Sequence, residues 1–206
     1  STLLASSAAS DVYKRQDTHS QHRRLTRLPD ADILVHSGDF TMNGSEQEAI
    51  DFMNWLCDLP YPHKIFICGN HDACLYGAKI DGLDKNVHYL CNSNVIIENI
   101  KFYGVPMFME DCISDRQARN YAAIPADTNV LITHCPPYGI LDFDDGINYG
   151  SIELLTRVEE IKPRLHLFGH VHKQHGVKKD GSTIFSNGAS MNGDYTNFNF
   201  PNLIEI

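Results

Sequence analysis

Asp32-Ile33-Leu34-Val35-His36-Ser37-Gly38-Asp39, and further on Lys64-Ile65-Phe66-Ile67-Cys68-Gly69-Asn70-His71-Asp72, decide the fold. Each is a short apolar run closed by glycine and polar residues, the pattern of a buried strand stopped by a turn. Between them, Ser45-Glu46-Gln47-Glu48 is a capping box. The helix it opens is predicted to bury Ala49, Ile50, Met53, Leu56 and Cys57 on one face. Pro60 and Pro62 stop it. Strand, helix, strand in this order predicts a parallel βαβ unit.

Downstream, apolar segments at 87–90, 95–98 and 101–105 read as a meander. Residues 106–128 read as irregular, with a short helical stretch at 116–122. Val130-Leu131-Ile132-Thr133 is another buried strand, stopped by His134-Cys135-Pro136-Pro137. Ser151 caps a helix reaching Ile161, with Ile152, Leu155, Val158 and Ile161 on its apolar face. Leu165-His166-Leu167-Phe168 runs into Gly169-His170, and strands are expected at 176–178, 183–186 and 203–206. With no repeat and no change of composition, residues 17–206 read as one mixed α/β domain, which suits a chain of 206 residues.

Residues 1–16 (STLLASSAASDVYKRQ) lack the basic start and long apolar run of a signal peptide. They do not read as a strand either, because Val12-Tyr13 gives way to Lys14-Arg15-Gln16. They are expected to be a non-native or disordered N-terminal segment.

Composition narrows the classes of function. The chain has 17 Lys+Arg against 26 Asp+Glu, a formal charge of −9, which disfavours wrapping a nucleic-acid polymer. No apolar run approaches the roughly 18 residues of a membrane span. Six cysteines form no C-x-x-C pair; Cys57, Cys68 and Cys135 have apolar neighbours, and they read as reduced residues of a cytoplasmic protein. The sequon Asn43-Gly44-Ser45 would carry sugar only in a secreted chain.

Each buried strand ends in a polar cluster: Gly38-Asp39, Gly69-Asn70-His71-Asp72, Thr133-His134 and Gly169-His170-Val171-His172. Asp17-Thr18-His19 would be a fifth, if a strand preceded it. Sites in open α/β sheets form at the carboxyl ends of strands. Imidazoles, carboxylates and an amide suit Mn, Fe or Zn, and there are too many donors for one tetrahedral ion. Two ions sharing a carboxylate would use them, and Asp39 is the natural bridge.

These five motifs resemble the full set of calcineurin-like metallophosphoesterases. The stretch Ile124-Pro125-Ala126-Asp127-Thr128 through His134-Cys135-Pro136-Pro137-Tyr138-Gly139-Ile140-Leu141-Asp142 resembles the metallophosphoesterase-domain-containing branch, whose members are cyclic-nucleotide-type phosphodiesterases. The resemblance implies two facing mixed β-sheets flanked by helices, with metals at one edge. It implies one ion on Asp17, His19, Asp39 and His172, and a second on Asp39, Asn70, His134 and His170. Asn70 and His71 would contact substrate, His71 as general acid or transition-state clamp, with Asp72 orienting His71 through its other ring nitrogen. The implied activity is hydrolysis of a small phosphodiester; a phosphomonoesterase and a catalytically impaired scaffold are the alternatives. Oligomeric state stays open.

In that family the first motif hangs from a central buried strand, where residues 11–16 stand here. Lys14, Arg15 and Gln16 are expected to spoil that strand, leaving Asp17 and His19 mobile. The other histidines read mainly as scaffold: His36 packs, and His22, His63, His88 and His166 lack a partner pattern, whereas His175 is a candidate to line the site. Met107, Phe108 and Met109 fit either a base-binding wall or loop packing. Arg116 and Arg119 fit either a phosphate contact or an exposed helix face.

Overall fold

The computed structural model of the chain describes residues 11–15, 17–25, 28–193 and 196–206. The first sheet starts with strands β1 (Asp11–Arg15) and β2 (Ile33–His36), helix α1 (Glu46–Asp58), and strands β3 (His63–Phe66) and β4 (Val87–Tyr89). The second sheet starts with the hairpin β5 (Ser93–Ile97) and β6 (Ile100–Val105), then helices α2 (Met109–Ile113) and α3 (Arg116–Ala122) and strand β7 (Val130–Thr133). A small hairpin, β8 (Phe143–Asp144) and β9 (Ile147–Asn148), leads to α4 (Ile152–Ile161). The chain ends with β10 (Leu165–Phe168), β11 (Gly176–Asp180), β12 (Thr183–Asn187) and β13 (Asn202–Glu205).

The five-stranded sheet has the order β13-β1-β2-β3-β4 and the six-stranded sheet β11-β12-β10-β7-β6-β5. Strands β1 to β4 run parallel, and so do β6, β7, β10 and β12; β13, β5 and β11 are antiparallel edges. The period-two alternation of a strand builds the layers. Val12, Ile33, Val35 and Ile65 face Phe102, Val130, Ile132, Leu165 and Leu167 between the sheets. Their neighbours Tyr13, Leu34 and Phe66 point the other way, onto Phe52, Trp55 and Leu56 of α1. Across the molecule Tyr103, Leu131 and Phe168 meet Tyr121 of α3 and Leu154 and Val158 of α4. Parallel strands ending on one edge bring the polar clusters together.

Several expectations are corrected. Residues 11–15 form a strand, and a central one, paired parallel to β2 and antiparallel to β13. Lys14 is fully buried, yet its amine donates to the carbonyls of Phe168 and Ser186, so the second sheet supplies the polar partners that the sequence reading did not see. Burial holds that amine well below its ordinary pKa. Gln16 and residues 1–10 lie outside the described residues. The expected meander divides: β4 completes the first sheet beside β3, and β5–β6 opens the second.

Helix α1 keeps its capping box, with Ser45 Oγ accepting from the Glu48 amide and the Glu48 carboxylate accepting from the Ser45 amide. Its buried face is Ala49, Phe52, Trp55 and Leu56, with Met53 and Cys57 at the margin and Ile50 exposed. The stripe turns toward Phe52 because its ring stacks on Phe40, 4.2 Å between centroids, and buries more area than Ile50 would. In α4 the buried pair is Leu154 and Val158, while Ile152 stays exposed. The β8–β9 hairpin turns on Asp145-Gly146, both at positive φ (46° and 85°). That dipeptide is a hairpin signal. Among the described residues no helix is long and apolar enough to cross a membrane.

Candidate metal centre

Asp17 and His19 follow β1, Asp39 follows β2, and Asn70 and His71 follow β3. From the second sheet, His134 follows β7, and His170 and His172 follow β10. Two three-residue groups result, Asp17/His19/His172 and Asp39/His134/His170, in each of which the donor atoms lie within 4.8 Å of one another. A third group of the same tightness, His19/Asp39/His71, links them. His19 Nε2 lies 3.4 Å from His172 Nε2. His134 Nε2 lies 3.1 Å from Asn70 Oδ1 and 3.3 Å from Asp39 Oδ2. The structure therefore brings all seven expected ligands to one edge. Asp17 is tied in place, its amide donating to the Gly38 carbonyl (2.9 Å), so the expected loosening of this motif is not seen.

Local backbone explains how so many polar groups converge. Asp17 (φ 50°), His19 (φ 42°), Asp39 (φ 55°) and His170 (φ 70°) all adopt the left-handed region, uncommon for residues with a Cβ and concentrated at functional sites. Gly38 and Gly69 allow the close approach. A Cβ on Gly38 would stand 2.6 Å from Gly69 N and 2.7 Å from His134 Nδ1. One on Gly69 would stand 2.7 Å from both Asp39 N and His134 Cε1.

The imidazoles are aimed by their second nitrogens. His134 Nδ1 donates to the Ser37 carbonyl (2.9 Å) and His172 Nδ1 to the Met191 carbonyl (3.1 Å), leaving each Nε2 for the site. Burial pushes His19 and His170 down to about 4, so both are neutral lone-pair donors at pH 7. Burial also lowers His172. Burial pushes Asp39 up, but His134 outweighs it and holds the carboxyl ionised, well below its ordinary range. Burial likewise opposes a charge on His134, and the Asp39 carboxylate beside it outweighs that and raises its pKa. Asp17 is raised, by burial first and also by Asp39. The donor set thus fits divalent ions: neutral imidazoles and an ionised carboxylate crowd one spot, and a positive charge on His134 balances Asp39 where a cation would.

Asp72 is placed differently from the expectation. His71 Nδ1 donates to the Met42 carbonyl (2.9 Å), so Asp72 does not orient that ring. Buried Asp72 instead accepts from the amides of Asp39 (2.8 Å), Gly69 (2.8 Å) and Thr41 (2.9 Å) and from Thr41 Oγ1 (2.9 Å). It locks the β2 and β3 loops to each other. A further organiser that the sequence reading left as a helix cap is Glu48. Its carboxylate also takes Ser20 Oγ (2.7 Å) and the amides of Met42 (3.1 Å) and Asn43 (3.2 Å). It thereby holds the loop whose carbonyl faces His71.

The remaining histidines are scaffold where their contacts are seen. His36 is buried against Thr18 Oγ1 (3.2 Å) and the Phe40 and Phe52 rings. His22 meets Asp51 (3.0 Å), and His166 meets Thr133 Oγ1 (2.9 Å). His63 stacks with His88. His175 belongs to none of the three donor groups. Phe108 is buried against Tyr76, and Arg116 is bound by Asp111 (2.8 Å).

Facing mixed sheets that carry paired carboxylate–imidazole groups at their common carboxyl edge define a metal-dependent hydrolase of the phosphoesterase type. The sequence model of the calcineurin-like phosphoesterases matches residues 10–174, and the chain belongs to that family. Its members are phosphoric ester hydrolases that usually hold two metal ions. The UPF0046 protein K07C11.7 of Caenorhabditis elegans is 38% identical, over 85% of this chain and 68% of its own length. Metallophosphoesterase domain-containing protein 1 of Homo sapiens is 32% identical, over 92% and 69%. The crystal structure of TT1561 of Thermus thermophilus shares the fold, with a TM-score of 0.61 at 12% identity over 88% of this chain and 90% of that one.

Proposed function

We propose that the chain is a phosphodiesterase for small, singly charged diesters such as cyclic nucleotides, working with two ions drawn from Mn, Fe and Zn. The observation that carries this reading is the pair of facing donor groups with Asp39 reaching toward both. Asp17, His19, Asp39 and His172 would hold one ion, and Asp39, Asn70, His134 and His170 the other. Bound there, the ions supply Lewis acidity and balance the charge that grows on the phosphoryl oxygens. Asn70 contributes a neutral amide oxygen, which limits the negative charge facing an anionic substrate. His71, its Nδ1 occupied by Met42, presents Nε2, which in the protonated ring hands a proton to the departing oxygen.

The preference for a diester is supported by the cationic side chains, which are engaged elsewhere. Arg116 is bound to Asp111, Arg23 to Asp51, and Lys173 to Asp144 and Asp145. A phosphate dianion would need such groups more than a monoanion does. The free cysteines support a reducing compartment such as the cytoplasm.

The test is hydrolysis of bis-nitrophenyl phosphate and nitrophenyl phosphate by metal-loaded protein. A higher kcat/KM for the diester is expected. A higher value for the monoester makes the chain a phosphatase, and no turnover of either with any of the three metals leaves only a scaffold.

A further inference from the structure

Beside the donor groups opens a cavity of about 210 Å³, lined by Asp144, Tyr149, His170, Val171, His172 and Gly193. The Tyr149 ring stands edge-on to His170, 6.5 Å between centroids at 74°, and remains 47% exposed. A half-exposed aromatic ring next to two ligand histidines does not serve the core. It is also firmly mounted. Buried Asp142 accepts from the amides of Gly139 (3.0 Å) and Gly150 (3.0 Å) and from Asn148 Nδ2 (2.7 Å), closing the base of the β8–β9 hairpin. At the tip, Lys173 Nζ reaches Asp144 (2.8 Å) and Asp145 (2.9 Å), tying the hairpin to the residue after His172.

That clamp also compensates the charges at the rim, so the wall offers a flat ring face rather than a cation for a second phosphate. The volume is below the roughly 300 Å³ of a whole small-molecule pocket, which suits one substituent of a ligand whose other end sits at the donor groups. We infer that Tyr149 is a specificity-determining wall for the planar aromatic substituent of the phosphoester, a nucleobase or an aryl ring. The inference rests on the phosphoester reading above and adds the chemistry of the group the ester carries.

Titration calorimetry of the metal-loaded full chain tests it, with methyl phosphate, phenyl phosphate and adenosine 5′-monophosphate as probes. The unaltered chain should prefer an aromatic ester over methyl phosphate by about tenfold, as one ring-to-ring contact provides. Tyr149→Ala should bring that ratio close to one, and Tyr149→Phe should keep it. A loss confined to the adenosine ester assigns the wall to nucleobases; a loss shared with phenyl phosphate assigns it to aryl groups in general. An unchanged ratio in Tyr149→Ala overturns the inference while leaving the phosphoester site in place. Failure of the unaltered chain to bind any of these three esters, or the diester dimethyl phosphate offered beside them, overturns the phosphoester reading itself, and the subsite with it.

Discussion

The two sheets hold their ligands by opposite means. In the first, carboxylates that are not ligands gather main-chain amides: buried Asp72 takes those of Asp39, Thr41 and Gly69, and half-exposed Glu48 takes those of Met42, Asn43 and Ser45. In the second, two of the three ligand rings anchor themselves through one nitrogen on a carbonyl, His134 on Ser37 and His172 on Met191. The first sheet positions loops and lets side chains follow; the second positions rings directly. Damage should therefore spread differently. A lost organiser in the first sheet loosens several ligands at once, whereas a lost ring in the second removes one donor.

The sharpest break comes at the residue both groups share. Asp39→Asn should strip both ions and lower kcat/KM by at least about a thousandfold, roughly 4 kcal/mol. His172→Ala should lower the content of one. Elemental analysis of the two variants decides, and equal metal loss from both would erase the distinction between shared and single donors.

Next in size is Asp72→Ala. It leaves buried donors on Asp39, Gly69 and Thr41 without their acceptor, a loss of about 3 kcal/mol or more in chemical unfolding. A cost below about 1 kcal/mol would show that the loops are held by something other than this carboxylate.

His71→Ala should keep its metal and lose about a hundredfold in turnover, since its role lies in the proton transfer. Metal loss as complete as that of Asp39→Asn would turn His71 into a ligand, as its place in the linking donor group permits. Glu48→Ala follows, at about 1–2 kcal/mol for the lost cap.

The remaining effect is shared by both sheets. His36 in the first and His166 in the second are fully buried, and burial holds each well below its ordinary pKa of 6.5. The unfolded chain binds these protons and the folded one does not. Stability is therefore complete above about pH 6.5 and falls on acidification, by about 1.4 kcal/mol per pH unit for each ring. Urea melts at pH 7 and 5.5 should show it, and His36→Gln and His166→Gln should flatten the slope equally. A slope untouched by either substitution would assign the acid sensitivity elsewhere.

The motif residues were legible because chemistry and position coincide in them: a polar cluster closing an apolar run marks both a strand end and a donor. Their supports were not. The resemblance implied Asp72 as the partner for His71, yet the acceptor for that ring is a main-chain carbonyl 29 residues away, which has no signature in a side-chain pattern. Lys14 looked misplaced in a central strand because its acceptors, Phe168 and Ser186, lie on the opposite sheet. Helix faces were offset for a related reason. Spacing cannot tell Ile50 from Phe52 until the hollow above Phe40 is known. Tyr149 ends no apolar run and belongs to no polar cluster, so no pattern singles it out, although Asp145-Gly146 marks the hairpin before it.

Gly38 and Gly69 leave no slack where β2, β3 and His134 meet. A lineage that drifts at either position meets a clash with main chain or with a ligand ring, so inheritance of the chemistry and inheritance of the strand ends are one event. The outer side is free of that constraint. The 143–149 stretch touches the donor groups only with its rim and is fastened by Asp142 and Lys173, which lie outside the donor set. New appetites among descendants of this chain should therefore be written in that hairpin, while the inner edge is copied unchanged.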